Sequence, residues 1–511
     1  MATWVWVGVL LAAYTGVTLW YGTVRPIDGD EGFYAMAARL VSEGRHLYRD
    51  FFYPQGPLLP YVYAPVVAVV GPSLRALRVV SALLSVLMVV PWLLMLARLQ
   101  RGRIWWLLGS AGLLLLDPHL LIWNSTVKTF ALCNLTASWG LYFLWRGLGG
   151  GRWVWFAATG LALGLAASAR ALYLPLPAVV LLALTVMALR GGGRSGWLAA
   201  AACAGGVVVA SLPAVAYLLA DPDRFIFNNL TCHRIRFSEL RSLGLGDSFS
   251  HRSAAALTNL FQALILNPYR GLLLLLTVLG WTRLFRRDAP DRAFQIIAAA
   301  ASLAFLGLNL LPDPVQHQYL TPTLGVLMLP AAVAGYTWCG RVFSGWGLKI
   351  VPVLAVVLSL LTLWVWRPGV SDKPDWTWDV YDRVCANLEA VTEPGDLVYS
   401  FWSGYVFETG TVPLTGSENH FAVGVSEELT PAEKTRYKVV GKELLSDVFA
   451  TRRARAVVVG AWMNEINHAL DDQQMTVLLG VFTDHYCPVS SEGDISVCLP
   501  CDPRTGGILT P

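Results

Sequence analysis

Between Thr3 and Trp366 the chain alternates long apolar runs with short polar turns. A helix needs about 17 to 25 mainly apolar residues to cross the hydrocarbon core, and about eleven runs reach that length. They fall near 3–21, 79–97, 104–122, 127–145, 153–169, 172–189, 197–219, 264–282, 293–311, 319–340 and 348–366. The run LLPYVYAPVVAVVG (58–71) is shorter, contains Pro60 and Pro65, and is followed by Arg75 and Arg78, which predicts an interfacial or re-entrant segment. Beyond Arg367 the pattern becomes that of a soluble domain. YDRVCANLEAV, PAEKTRYKVVGKELLSDVFATRR and the stretch around NEINHALDDQQMTVLLG read as helices, the second as one long helix. LVYSFW, AVVVG and two final pieces read as strands, giving a small α/β domain with a mostly parallel sheet. The expected organisation is an α-helical polytopic membrane domain over 1–366, carrying a loop at 22–78, and a C-terminal α/β domain over 367–511.

Composition agrees. Charged residues make up 14% of the chain, against roughly 25% in soluble domains. The net charge of +4 is too small to argue for a nucleic-acid partner, but its placement is informative. With 58–71 kept from spanning, RLQRGR (98–103), the Arg146 to Arg152 turn, RGGGR (190–194), RLFRR (283–287) and the Arg341 to Lys349 turn all face one side. The positive-inside rule makes that side cytoplasmic. The other side then holds loop 22–78, WNSTVK (123–128), the Arg170 to Tyr173 turn, the loop 220–260, DPVQHQY (313–319) and the C-terminal domain. A multi-pass protein of the plasma (inner) membrane with an extracytoplasmic (periplasmic) C-terminal domain follows. The first span has no basic n-region and is expected to be retained.

RPIDGDEGFY concentrates three acids on the outer side. Asp28 with Glu31 three residues later fits a capping box. Phe33, Met36, Ala37, Leu40 and Val41 then recur at helical spacing up to Gly44, predicting an amphipathic helix on the outer membrane surface. One cap does not need three acids, so Asp30, with Glu31, is the candidate catalytic group, acting as general base or, alternatively, binding a divalent cation such as Mg or Mn. Outer segments supply complementary groups: Lys128, Arg170, His233, Arg234 and His317 are candidate phosphate or substrate ligands, with Asp28, Tyr34, Tyr53, Gln55, Tyr173 and Tyr319 in the same segments. For each cation the plain alternative is snorkelling to lipid headgroups.

The run DEGFYAMAARLVSEGRHLYRDFFYPQGPLLPYVYA and the following GPSLRALRVVSALLSVL resemble the first outer loop of the GT-C class of polyprenyl-phosphate-sugar-dependent glycosyltransferases. The similarity is to dolichyl-phosphate-mannose protein mannosyltransferases and to lipid A aminoarabinose transferases. It is carried by Asp30 and Glu31, Tyr34, Gly44, Pro57 and the set Gly71, Ser73 and Arg78, with weaker similarity through GLALGLAASARALYLPLP, NNLTCHRIRF and QHQYLTPTLGVLMLP. The resemblance implies an inverting transfer from a polyprenyl-phosphate (or pyrophosphate) sugar donor to a lipid, glycan or protein acceptor. It implies Asp30 as the catalytic acid residue, Glu31 assisting by metal binding or by holding the loop, and Arg170 meeting the donor phosphate. Where relatives often carry a second acid, this chain has Asn124, Lys128 and Thr129. Two other classes stay open on the residues alone: a transporter or flippase of lipid-linked sugars, and a non-catalytic scaffold of envelope assembly. Among Cys487, Cys498 and Cys501 a structural disulfide is expected, while Cys133, Cys203 and Cys339 read as small apolar residues in spans.

Overall fold

The computed structural model describes residues 2–99, 104–115, 117–236, 258, 268–281, 292–308, 318, 347–365, 367, 374–460, 472–502 and 507–508. Among them, Thr3–Val24, Leu74–Arg98 and Ala171–Ala220 are helical stretches long and apolar enough to cross a membrane. The last is two helices, Pro175–Met187 and Gly193–Ala220, parted by a bend at Arg190 and Gly191 that falls in the expected RGGGR turn. Leu58–Val70, Trp153–Ala169, Arg292–Leu308 and Pro352–Val365 are shorter apolar helices. At 1.5 Å per residue the first of these extends about 20 Å, well short of a ~30 Å hydrocarbon core. The expected spans at 264–282 and 293–311 are described only in part, and the expected span at 319–340 and Cys339 lie outside the described residues.

The chain divides into two compact units. One comprises Met1–Thr23, Val79–Val215 and Asp247–Pro368, the other Val24–Arg78, Ala216–Gly246 and Gly369–Pro511. In the first unit, helices present leucine, valine and tryptophan outward: Trp4, Leu83, Leu182, Val208 and Leu361 are all exposed, as expected where lipid is the solvent. Small residues let neighbouring helices approach. Trp153–Ala169 carries Gly160 and Gly164 one turn apart, and a Cβ on Gly160 would stand 1.8 Å from the carbonyl oxygen of Cys203 on Gly193–Ala220. This is the small-residue packing typical of membrane helices.

The second unit contains α1 (Glu31–Ser42), α2 (Leu58–Val70) and a six-stranded sheet. Helix α1 ends as expected. Gly44 has φ +86°, its amide donates to Val41 O (3.0 Å), and the Arg45 amide donates to Leu40 O (2.9 Å), the two bonds of a Schellman motif. The helix does not lie amphipathically on a membrane surface, however: every residue from Glu31 to Leu40 is buried. Its small face is the cause. A Cβ on Gly32 would meet Trp402 Nε1 at 2.6 Å and the Gly404 amide nitrogen at 2.7 Å, so α1 packs directly on the Gly404–Phe407 turn as well as on α2.

The sheet runs in the order β2 (Val412–Pro413), β1 (Leu397–Ser400), β3 (Ala456–Gly460), β5 (Ile495–Asp502), β4 (Tyr486–Glu492), with β6 (Gly507–Ile508) on β5. Among the described strands, β1–β2 and β1–β3 are parallel and the β3–β5, β4–β5 and β5–β6 pairs are antiparallel, so the sheet is mixed and not mostly parallel. The reason is local: β4 and β5 are consecutive and joined by a tight turn, which permits only antiparallel pairing. Helices Trp378–Glu389, Lys442–Ala450 and Asp472–Thr483 accompany it, with Phe449 packed edge-to-face against Tyr399, Phe482 and Tyr486. The expected single helix 431–453 is two, Pro431–Tyr437 and Lys442–Ala450. Lys438 adopts φ +57° and closes the first, and Val439 and Val440 turn into the core. Cys487 and Cys501 form a disulfide across the β4–β5 pair, with Cα atoms 5.7 Å apart. Cys498 is a buried thiol, pushed up to about 12 by burial.

Candidate functional site

The acidic motif lies in the second unit, and its three acids are not equivalent. The Asp28 carboxylate accepts the Asp30 amide (3.0 Å), and the Asp28 carbonyl accepts the Glu31 amide (3.0 Å). Glu31 reaches back to accept the Asp28 amide (2.9 Å). The expected capping box is therefore only half formed: the residue at the N-cap is Asp30, and its side chain makes no capping hydrogen bond. Asp28 instead fixes the turn ahead of the helix.

Glu31 is fully buried and forms an ion pair with buried Arg78. Arg78 Nε donates to Glu31 Oε1 at 2.8 Å, and its remaining nitrogens donate to Arg25 O (2.6 Å) and Pro26 O (2.9 Å). A buried guanidinium and carboxylate stay charged only when both are satisfied in this way. Glu31 thus ties the loop to the start of the helix that follows Gly71. Asp30 keeps 27% of its side chain exposed, and His420 Nε2 stands 3.9 Å from Asp30 Oδ1.

Aromatic residues pack behind this turn. Phe33 lies 4.1 Å from Tyr34 and 6.4 Å from Tyr53, between ring centroids. Tyr34 and Tyr53 are both buried. The Tyr53 amide donates to Asn228 Oδ1 (2.9 Å), and His233 Nε2 lies 3.0 Å from the carbonyl oxygen of the next residue, Pro54. Gln55 is half-buried, its carbonyl accepting from Tyr48 (2.7 Å). The structure thus brings Asp28, Asp30, Glu31, Tyr34, Tyr53, Gln55 and His233 into one unit with His420, which sequence reasoning did not single out. Arg234 is exposed, whereas Arg236 stands over the Phe421 ring at 3.4 Å.

Lys128, Arg170 and Tyr173 belong to the first unit. Lys128 is buried at the N-cap of Thr129–Gly150, donates to Gln318 Oε1 (3.0 Å) and lies 4.7 Å from the Trp123 ring. Half-buried Arg170 donates to Thr129 Oγ1 (3.0 Å), with its guanidinium 4.5 Å from the Phe130 ring. Tyr173 donates to Asn134 Oδ1 (2.6 Å), and Asn134 donates to Asn124 (2.8 Å). Both side chains thus meet the N-terminal end of Thr129–Gly150. His317 and Tyr319 lie outside the described residues.

Among the described residues no group of three or more His, Cys, Asp or Glu is placed to hold a metal ion. Glu31, offered as a ligand by the sequence, has its carboxylate engaged by Arg78 and the Asp28 amide. The described residues around the acidic motif therefore offer no ready-made set of cation ligands.

No protein-family profile matches the sequence, and no curated protein does either. Solved structures do match. ArnT from Cupriavidus metallidurans in the apo state aligns over 100% of both chains with a TM-score of 0.64 at 14% identity. The same protein bound to undecaprenyl phosphate aligns over 96% of this chain and 97% of its own, at 0.63 and 14% identity. The archaeal oligosaccharyltransferase AglB from Archaeoglobus fulgidus, in complex with an inhibitory peptide and a dolichol-phosphate, covers 96% of this chain and 74% of its own (TM-score 0.53, 12% identity). The arabinofuranosyltransferase AftD from Mycobacteria covers 98% of this chain and 40% of its own (0.54, 16% identity). The fold is that of the GT-C glycosyltransferases.

Proposed function

We propose that this chain is an integral membrane glycosyltransferase that moves a sugar from a polyprenyl-phosphate donor to an acceptor on the extracytoplasmic side, with Asp30 as general base. The observation that carries the reading is the division of labour in the acidic motif. Asp28 and Glu31 serve the turn and the Arg78 ion pair, while Asp30 holds a partly exposed carboxylate at the start of α1. In the reaction so read, Asp30 takes the proton of the acceptor hydroxyl or amine as that atom attacks the anomeric carbon from the face opposite the phosphate. The carbon–oxygen bond to phosphate breaks, its electron pair leaves on the phosphate, and the configuration inverts. For the departing phosphate the sequence reading offers Lys128 and Arg170 as candidate ligands.

The orientation draws support from the second compact unit. It gathers Val24–Arg78, Ala216–Gly246 and Gly369–Pro511, three segments that the arginine distribution assigns to one side of the membrane. The acceptor is a lipid, a glycan or a protein, and mass spectrometry of envelope glycans and lipids in a deletion strain identifies it by the sugar that disappears. Complementation with Asp30→Asn is expected to leave that sugar missing while protein level and membrane insertion match the wild type. Full restoration of the sugar by Asp30→Asn rejects the assignment.

A further inference from the structure

The loop after β2 carries the sequence LTGSENHF over Leu414 to Phe421, and within it His420 reaches the first acid motif from more than 380 residues away in the chain. The imidazole is almost wholly buried, with 2% of its side chain exposed, and its Nε2 stands 3.9 Å from Asp30 Oδ1, close enough to pair with the carboxylate when the ring is protonated. Its ring packs on Phe33 at 5.7 Å and on Phe421 at 4.0 Å, so aromatic neighbours limit its orientation. The two segments are also held together nearby. Trp402 Nε1 donates to the Gly29 carbonyl (2.7 Å), one residue before Asp30, and Gly32 packs directly on Trp402.

We propose that His420 is the positioning residue for Asp30, so that the acceptor end of the site is built by the C-terminal region as well as by the first loop. This rests on reading Asp30 as the base. A partly exposed carboxylate at a helix start can take several rotamers, and a fixed polar nitrogen beside one of its oxygens selects among them. An orientation held in advance is what general-base catalysis requires of a side chain. The role belongs to the ring nitrogen and not to the ring's bulk.

That distinction supplies the test. His420→Phe preserves the aromatic packing against Phe33 and Phe421 and removes both nitrogens. His420→Gln gives up the packing and returns a polar side chain. Each variant, with wild type and Asp30→Asn, is expressed in the deletion strain, and the modified glycan or lipid is quantified by mass spectrometry. Melting temperature is measured on the purified full-length proteins in detergent. Positioning predicts that Phe melts at or above Gln, yet yields at least tenfold less product than wild type, with Gln intermediate. Product that follows melting temperature, with Phe near wild type and Gln lowest, overturns the proposal and assigns His420 to packing. Asp30→Asn separates the layers: if it makes no product while His420→Phe works normally, the base assignment stands and this inference fails. Normal product from Asp30→Asn removes the base assignment itself.

Discussion

Glu418 and Glu31 are buried to nearly the same degree but are satisfied differently. Glu31 has Arg78 against its carboxylate, while Glu418 accepts the Gly416 amide at one oxygen (2.8 Å) and has no hydrogen-bond partner among the described residues at the other. Burial therefore pushes the Glu418 carboxyl up to about 7. In the unfolded chain a glutamate titrates near 4.3, so between that pH and 7 the folded protein holds a proton that the unfolded chain has lost. The stability associated with the neutral carboxyl is complete below the unfolded value and is lost as pH rises through 7. Glu418→Gln, neutral at every pH, is expected to match the wild type at pH 4 and to exceed it at pH 8 by on the order of 3 kcal/mol. Thermal melts at the two pH values check this, and an equal gain at both would show that the carboxylate is not the cause. The same contrast explains what could be read in RPIDGDEGFY. Spacing showed that the motif holds more acids than one helix cap needs, but the Glu31 partner, Arg78, is 47 residues away and local pattern does not show it.

At the scale of elements, the apolar runs were legible because lipid demands length, and Gly44 was legible because a positive φ at a helix end demands glycine. Two features escaped. An amphipathic pattern looks the same whether its second face meets a membrane surface or another part of the chain, so the burial of α1 was hidden. The break at Lys438 occurs in helix-compatible sequence and follows from Val439 and Val440 entering the core, a tertiary effect. The helix pair in the first unit is a sharper case. GLALG reads as one more apolar stretch, yet Gly160 faces backbone of Cys203, which cannot move aside as a side-chain end can. Gly160→Leu is expected to prevent Trp153–Ala169 from packing on Gly193–Ala220 and to reduce the yield of monodisperse protein in detergent severely. Gly205→Ala, where an added Cβ meets nothing within 4 Å, is the control: it should leave yield intact and add about 1 kcal/mol through helix propensity. Equal yields from the two variants would contradict the close approach.

At the scale of the molecule, the second unit is assembled from three segments far apart in the chain, and one side chain fastens two of them. Arg39, on α1, donates to the carbonyls of Val406 (2.9 Å), Phe407 (3.2 Å), Thr409 (2.9 Å) and Thr411 (2.8 Å), and to the carboxylate of Glu43 (2.8 Å). The first two carbonyls lie at the end of the short helix Gly404–Phe407, which does not continue into a further turn that would donate to them. A planar guanidinium can serve this fan of acceptors, whereas a single ammonium cannot, so lysine is not equivalent here. Because every remote partner is backbone, nothing in the partner sequence marks the contact, and Arg39 looks like an ordinary polar position on a helix. Arg39→Met should leave buried carbonyls without their charged donor, at a cost on the order of 3 kcal/mol. Amide hydrogen exchange read by mass spectrometry is expected to accelerate by roughly 100-fold in 404–411 and in α1, with Arg39→Lys nearly as fast. Exchange in Trp153–Ala169, which belongs to the other unit, should not change. If 404–411 exchanges at the wild-type rate in both variants, Arg39 does not fasten the C-terminal segment to the acid-bearing loop, and the placement of His420 beside Asp30 rests on the other contacts between them, among them Trp402 on Gly29, Gly32 against Trp402 and Phe33 against His420.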